Sequence, residues 1–238
     1  ERERCEVWKR HMEKVMNEEN EWDGIAEAAV VHGPLERVTE EEVKDAIKHM
    51  KLGRAAGVSG VAVEHIAASG MVGVEVITEI CNRVLEGICI PDDWRYSVLV
   101  PLYKGKGDVR DCGAYRGVKL LEHGMKVLER VFERRLRAVV DIDEMQCGFM
   151  PGKGTVDALF MVRILQEKYM RKNKKLYMCF VDLEKAFDRV PRKVIEWALR
   201  KRGVIERLVR AVMRLYEGAM TKVKVGGEMS DGFSVEVG

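Results

Sequence analysis

A carboxylate that arrives where an apolar run stops is a candidate metal ligand, and Asp182 is one: it directly follows Tyr177-Met178-Cys179-Phe180-Val181. The run is short and has aromatic and β-branched members, so it predicts a central strand. Alternation then places Asp182 on the face of Phe180 and Met178, at the strand's carboxyl end. Pro191 suits the first turn of a following helix, whose Val194, Ile195, Ala198 and Leu199 recur at helical spacing. On these residues alone, a turn-capping aspartate fits Asp182 as well as a metal ligand does. A second candidate is cationic. Tyr103-Lys104-Gly105-Lys106-Gly107-Asp108 leads to Tyr115-Arg116-Gly117-Val118-Lys119-Leu120, which reads as two strands joined by a Gly-rich positive loop. Such a hairpin could grip a polyphosphate through charge-assisted hydrogen bonds. A plain solvent-exposed hairpin fits the same pattern.

The elements that must position these groups are readable from periodicity and punctuation. Residues 1–37 are highly charged, with Trp8, Met12, Val15 and Met16 at helical spacing, and predict a lead-in helix, then a loop near Gly33-Pro34. Thr39 to Glu42 forms a capping box, Val38 and Val43 can staple it, and Val43, Ala46, Ile47 and Met50 make a buried stripe. The small-residue loop from Lys51 to Gly60 lacks the order of a phosphate-binding P-loop. A helix over Val74–Leu85 ends near Gly87, and Tyr96–Tyr103 reads as a strand. Met125, Leu128, Val131, Phe132, Leu136 and Val139 line the next helix, with Arg130, Arg134, Arg135 and Arg137 outside the stripe. A tight turn from Gln146 to Gly154 precedes a helix with Thr155 as N-cap and Leu159, Val162, Leu165 and Tyr169 as its buried stripe. Leu208 to Tyr216 forms a last helix, and Thr221, Val223, Val225 against Phe233, Val235, Val237 predict a hairpin.

Composition narrows the class. With 238 residues, 47% of them hydrophobic, the chain can bury a sizeable core. Lys+Arg 41 against Asp+Glu 39 leaves a net charge of +2, so nucleic-acid binding must rest on local clusters. The basic candidates are the arginines above, Arg171 to Lys175, and Arg200 to Arg202; solvated faces or helix C-terminal cations explain them too. Six cysteines without C-x-x-C spacing predict reduced intracellular thiols rather than a zinc site or a disulfide framework. Neither a secretory leader nor a long apolar stretch is evident, which argues against secretion and membrane spanning.

The string from Phe180 to Val190, Phe-Val-Asp-Leu-Glu-Lys-Ala-Phe-Asp-Arg-Val, resembles the first catalytic motif of reverse transcriptases of non-LTR (LINE-type) retrotransposons. Three further strings agree in order. Arg54 to Gly60 is similar to a Lys-Ala-Ala-Gly-x-Asp-Gly segment, with Ser59 standing where the family has Asp. Pro101 to Asp108 with Tyr115-Arg116 resembles the fingers motifs, and Gln146 to Gly152 resembles a Gln-x-Gly-Phe-x-Pro-Gly string. The resemblance implies that Asp182 binds the catalytic magnesium ions, with Leu183 lending its backbone carbonyl. Phe187 is then the steric gate beneath the sugar, Lys104 and Arg116 reach the triphosphate, and Gln146 and Phe149 lie near the template. Asp188 and Glu184 are explained equally by capping or solvation, and Phe187 by burial in a core. Ser59 is expected to order its loop less well than Asp.

The expected fold is therefore helix-rich α+β, the fingers and partial palm of a right-hand polymerase. Residues 1–37 form the lead-in, 38–175 the fingers, and 176–238 a partial palm cut before the paired-Asp motif. The implied function is RNA-directed DNA polymerase, adding deoxynucleotides to a primer 3′ hydroxyl on an RNA template. Its partners are RNA template, DNA primer, deoxynucleoside triphosphates, two Mg2+ ions and the remainder of a parent polyprotein, in an intracellular ribonucleoprotein of nucleus or cytoplasm. Residues 1–238 alone are expected not to extend a primer. A non-catalytic RNA-binding module and a decayed retroelement remnant are the alternatives.

Overall fold

The computed structural model describes residues 1–20, 27–88, 90–183 and 185–238. The chain divides into a larger unit, Glu1–Val140 with Lys185–Gly238, and a smaller one, Asp141–Glu184. The larger unit opens with helices α1 (Arg2–Met16), α2 (Glu40–Lys48), α3 (Val63–Ala68), α4 (Gly70–Glu86) and the single turn α5 (Asp92–Arg95). Strands β1 (Tyr96–Tyr103) and β2 (Tyr115–Leu120) follow, then α6 (His123–Arg137). The smaller unit holds α7 (Thr155–Arg171). The larger unit resumes with α8 (Arg192–Lys201), α9 (Glu206–Arg214), and strands β3 (Met220–Val225), β4 (Glu228–Met229) and β5 (Phe233–Ser234). The architecture is helix-rich α+β with a mixed sheet.

Local chemistry explains the helix ends. Thr39 Oγ1 accepts from the Glu42 backbone N–H while Glu42 accepts from that of Thr39 at 2.9 Å, and Val38 and Val43 are both buried beside this box. At the far end of α4, Gly87 takes a left-handed φ of 81°, and the N–H groups of Gly87 and Ile88 close onto Val84 and Arg83. Buried Asn82 mimics a strand partner, its amide both accepting from Val38 N–H at 2.7 Å and donating to Val38 C=O at 3.0 Å. The helical core gathers Val43 and Ala46 of α2, Cys81 and Val84 of α4, Val127 and Val131 of α6, and Leu208 and Val209 of α9.

In the sheet, β1 lies between β2, antiparallel from Val98↔Leu120 to Tyr103↔Tyr115, and β3, parallel from Tyr96↔Met220 to Leu99↔Val223. The hairpin expected after Gly218 is more broken than its alternation suggests. β4 and β5 pair with successive parts of β3, and between them Ser230 substitutes its hydroxyl for a main-chain acceptor, taking the Val223 N–H at 2.9 Å. Met12 and Met16 of α1 cover this sheet, packing with Leu99, Val223, Phe233 and Val235.

Three expectations for residues 141–184 are corrected. The run Tyr177–Val181 is not a strand; Tyr177, Phe180 and Val181 are 79–84% exposed. The physical reason is that a strand needs a ladder, and the described strands pair only with one another. Nor does α7 bury a stripe: Leu159, Leu165 and Tyr169 are exposed, and Val162 is half-buried. Helical spacing makes one face apolar without supplying anything to cover it. The N-cap is Gly154, not Thr155, and its N–H is taken by Asp157 at 2.7 Å.

Glu206 joins α8 to α9, accepting from Arg200 at 2.7 and 2.8 Å and from Arg210 at 3.1 Å. These hydrogen bonds, Arg200's foremost, outweigh burial and hold its carboxyl down from 4.5 to about 2. A depressed folded-state pKa contributes stability that is present above the unfolded value and lost as pH falls toward the folded one. The urea midpoint of the protein is expected to drop as pH is lowered from about 5 to 2, and Glu206→Gln should flatten much of that dependence. An unchanged pH profile in Glu206→Gln would contradict the assignment.

Candidate functional site

Lys104 and Arg116 belong to one platform. Leu102 stands opposite Arg116, and the ladder runs one step past the strand ends, with Lys104 N–H donating to Ala114 C=O at 2.9 Å. Opposed residues share a sheet face and alternate residues return to it, so Arg116, Leu102 and Lys104 fall on one side and Tyr103 and Tyr115 on the other. Both cations are exposed. The Lys104 ammonium donates to Gly113 C=O at 2.9 Å, which draws it over the loop.

The loop itself is held from the opposite face. Tyr103 donates its hydroxyl to Gly107 C=O at 2.7 Å and Tyr115 to Val109 C=O at 2.9 Å, with the two rings 5.3 Å apart. Trp8 of α1 meets Tyr115 in a T-shaped arrangement, with ring centroids 4.8 Å apart. The lead-in helix thus buttresses the cationic hairpin, a role that the helical spacing of Trp8 alone does not reveal. Gly117 is needed here: a Cβ on it would stand 3.0 Å from a Leu99 methyl.

The small-residue loop after α2 is also anchored. Glu64 accepts from Gly53 N–H at 2.5 Å, and buried Glu122 accepts from the Ser59 N–H at 2.8 Å and the Ser59 hydroxyl at 2.5 Å. Ser59 in turn takes the Val61 N–H. A side chain on Gly57 would overlap the Glu122 carboxylate, which accounts for that glycine. Ser59 thus helps to order the loop through its own hydrogen bonds. Its hydroxyl donates to a carboxylate already in place, which an ionised Asp could not do.

The remaining candidates are divided between the units. Phe187, in the larger unit, is 72% exposed and so is not a core residue. Asp188 lies within electrostatic reach of Lys119 on β2. In the smaller unit Asp182 and Leu183 are exposed, Gln146 donates to Gly148 C=O at 3.0 Å, and Phe149 is exposed with a left-handed φ of 59°. Glu184 lies outside the described residues. Among the described residues no three His, Cys, Asp or Glu side chains converge as a metal cage. They do not by themselves fit a metal ion around Asp182. Among them, too, no helix is long and apolar enough to cross a membrane.

A hairpin that presents two cations on one exposed face can offer charge-assisted hydrogen bonds to anionic groups. Residues 104–232, more than half of the chain, match the family model described as reverse transcriptase (RNA-dependent DNA polymerase). The chain belongs to that family. It is 29% identical over 161 residues to the RNA-directed DNA polymerase from mobile element jockey of Drosophila melanogaster, covering 66% of this chain and 18% of the relative. It is 27% identical over 219 residues to the transposon TX1 uncharacterized 149 kDa protein of Xenopus laevis, covering 88% and 16%. A further similarity, 28% over 154 residues, is to the Pol polyprotein from the type-1 retrotransposable element R1 of Bradysia coprophila, covering 62% and 15%. The chain thus spans less than a fifth of each of these relatives, and its homologues are non-LTR retrotransposon polymerases.

The Ser59–Glu122 contact makes a prediction. Ser59→Ala should cost about 1.5–3 kcal/mol, the worth of a hydrogen bond to a charged group, and Ser59→Asp more, because it sets a second carboxylate against Glu122. Thermal unfolding and the rate of tryptic cleavage after Arg54 would show both. Cleavage as slow in Ser59→Asp as in the wild type would remove the anchoring role.

Proposed function

We propose that this chain is the nucleotide-handling part of an RNA-directed DNA polymerase of a non-LTR retrotransposon, with residues 38–175 as fingers and 176–238 as part of the palm. The observation that carries the reading is the β1–β2 hairpin, which sets Lys104 and Arg116 on one exposed face inside the family-matched stretch. In this reading the two cations neutralise the triphosphate of an incoming deoxynucleotide, and the Trp8–Tyr115–Tyr103 stack keeps their loop from spreading. A preorganised positive platform stabilises charge as it develops on a transferring phosphoryl group, without reorganising at the moment of reaction.

Asp182, with the carbonyl of Leu183, offers hard oxygen ligands of the kind divalent ions take, and Mg2+ is the ion that suits carboxylate and phosphate together. The described residues around Asp182 supply no second and third ligand, so no step is assigned to the ion. Phe187, exposed rather than packed in a core, is the residue proposed to crowd the 2′ position of a bound sugar. Gln146 and Phe149 are the proposed template contacts. RNA template, DNA primer and the rest of a parent polyprotein are the proposed partners, in an intracellular ribonucleoprotein.

In a full-length parent enzyme, Lys104→Ala and Arg116→Ala are expected to lower kcat/KM for deoxynucleotides by roughly 10²–10³, the usual loss for one electrostatic contact to a transition state, while RNA affinity changes far less. Equal loss of both would assign these residues to template binding or folding. Asp182→Asn should abolish primer extension at normal RNA affinity. Phe187→Ala should raise the ratio of ribonucleotide to deoxynucleotide incorporation; an unaltered ratio would remove the gate.

A further inference from the structure

Helix α1 lies outside the family-matched stretch, residues 104–232, yet it and the residues just after it touch two separate parts of that stretch. The first contact is at the hairpin. Trp8 stands against Tyr115, whose hydroxyl, with that of Tyr103, holds the loop between Lys104 and Arg116. One and two turns further on, Met12 and Met16 are buried against Leu99 and Val223, which fixes the helix on the sheet.

The second contact is made by the segment that leaves the helix. Asn17 accepts from the Glu236 backbone N–H at 2.8 Å and donates to Ser234 C=O at 2.9 Å, pinning the end of α1 to β5 and the residues just past it. Glu18 then pairs with Arg189, and Asn20 N–H donates to Arg189 C=O at 3.3 Å. Arg189 closes the turn that carries Phe187: its own N–H reaches back to Lys185 C=O at 3.2 Å, and Lys185 opens that turn with a left-handed φ of 49°. Residues other than glycine seldom hold that conformation unless their surroundings impose it. The tail of α1 supplies the turn with one side-chain and one main-chain partner. Between the two contacts, His11 lies within electrostatic reach of both Asp111 in the hairpin loop and Lys185 in the turn.

We propose that α1 is the spacer of the nucleotide site. Through Trp8 it sets the hairpin that bears Lys104 and Arg116, and through Glu18 it sets the turn that bears Phe187, so that the grips on triphosphate and sugar keep a fixed separation. Trp8 and Glu18 are positioning residues, and neither touches the substrate. What the hairpin and the turn bind rests on the polymerase reading; that one helix ties them together rests on the contacts of α1. A hydrogen-bonded helix is a stiff spacer, whereas the hairpin tip and the turn are both loops. A substrate gripped at two points loses binding and selectivity when either grip shifts, so the parts that hold the grips matter as much as the grips.

The test uses a full-length parent enzyme, with deoxynucleotide kinetics and the ratio of ribonucleotide to deoxynucleotide incorporation as separate readouts. Trp8→Ala should raise KM for deoxynucleotides about two- to tenfold, the order of one aromatic pair, with a smaller change in kcat, and Trp8→Phe should recover most of the loss. Glu18→Ala should raise the ribonucleotide ratio about two- to fivefold, the order of one ion pair, and the exchange Glu18→Arg/Arg189→Glu should bring it back. Should Trp8→Ala fold poorly, Glu18→Ala, at an exposed position, carries the test by itself. A fall in kcat alone, with KM and the ratio unchanged, would assign α1 to folding and overturn the proposal. Wild-type values in both alanine variants, while Lys104→Ala and Phe187→Ala show their expected effects, would overturn it and leave the polymerase reading standing. Silence of Lys104→Ala and Phe187→Ala as well would remove that reading, and the proposal with it.

Discussion

The parallel pairing of β1 with β3 is the contact on which the larger unit depends. It joins Tyr96–Leu99 to Met220–Val223, and at its centre the buried hydroxyls of Ser97 and Thr221 meet at 2.9 Å although 124 residues separate them. Two buried hydroxyls satisfying each other remove a penalty that either alone would incur. Leu99 and Val223, paired in register and fully buried, then form the apolar floor onto which α1 settles. Because β1 is central, its other edge is free for β2, and the hairpin that presents Lys104 and Arg116 is rooted in a buried ladder. Its tip can be exposed and charged because its base is neither.

Much of this was legible in the sequence where the deciding forces are local. The Thr39–Glu42 capping box, the Gly87 stop and the alternation of β1 with β2 act within a few residues, and all appear where the pattern predicts. Where the deciding partner is distant, the same patterns mislead. Leu159, Leu165 and Tyr169 recur as on a buried helix and Tyr177–Val181 has the composition of a central strand, yet all of these side chains are exposed. Periodicity reports which face could be buried; only tertiary contact buries it. The role of Trp8 was missed for the same reason: its partner, Tyr115, is more than a hundred positions away.

Charge was read least well. An arginine-studded helix looks like a nucleic-acid surface, but Arg135 is a structural cation, forked onto Glu42 and satisfying two backbone carbonyls at the entry to α2. Ser59 shows the converse. Next to a family pattern it looks like a loss, whereas the carboxylate it appears to lack is supplied by Glu122, 63 residues later, with the serine as its donor. In both cases what matters is the pairing of a charge, and the pairing spans helices and loops that no local window contains.

The same reasoning separates Lys104 and Arg116 from Asp182. Lys104 and Arg116 have positions dictated by a ladder, a tyrosine pair and a packed helix, so their geometry is a property of the residues that surround them. Asp182 follows a run whose main-chain groups pair with no described strand, in a 44-residue unit whose described residues include none fully buried. A unit so small buries too little apolar surface to define its own core, and a carboxylate becomes a dependable metal ligand only when neighbouring packing and hydrogen bonds hold it to within fractions of an ångström. Precision at Asp182 must therefore come from whatever covers Phe180, Val181 and the apolar face of α7, whereas precision at the hairpin is built in.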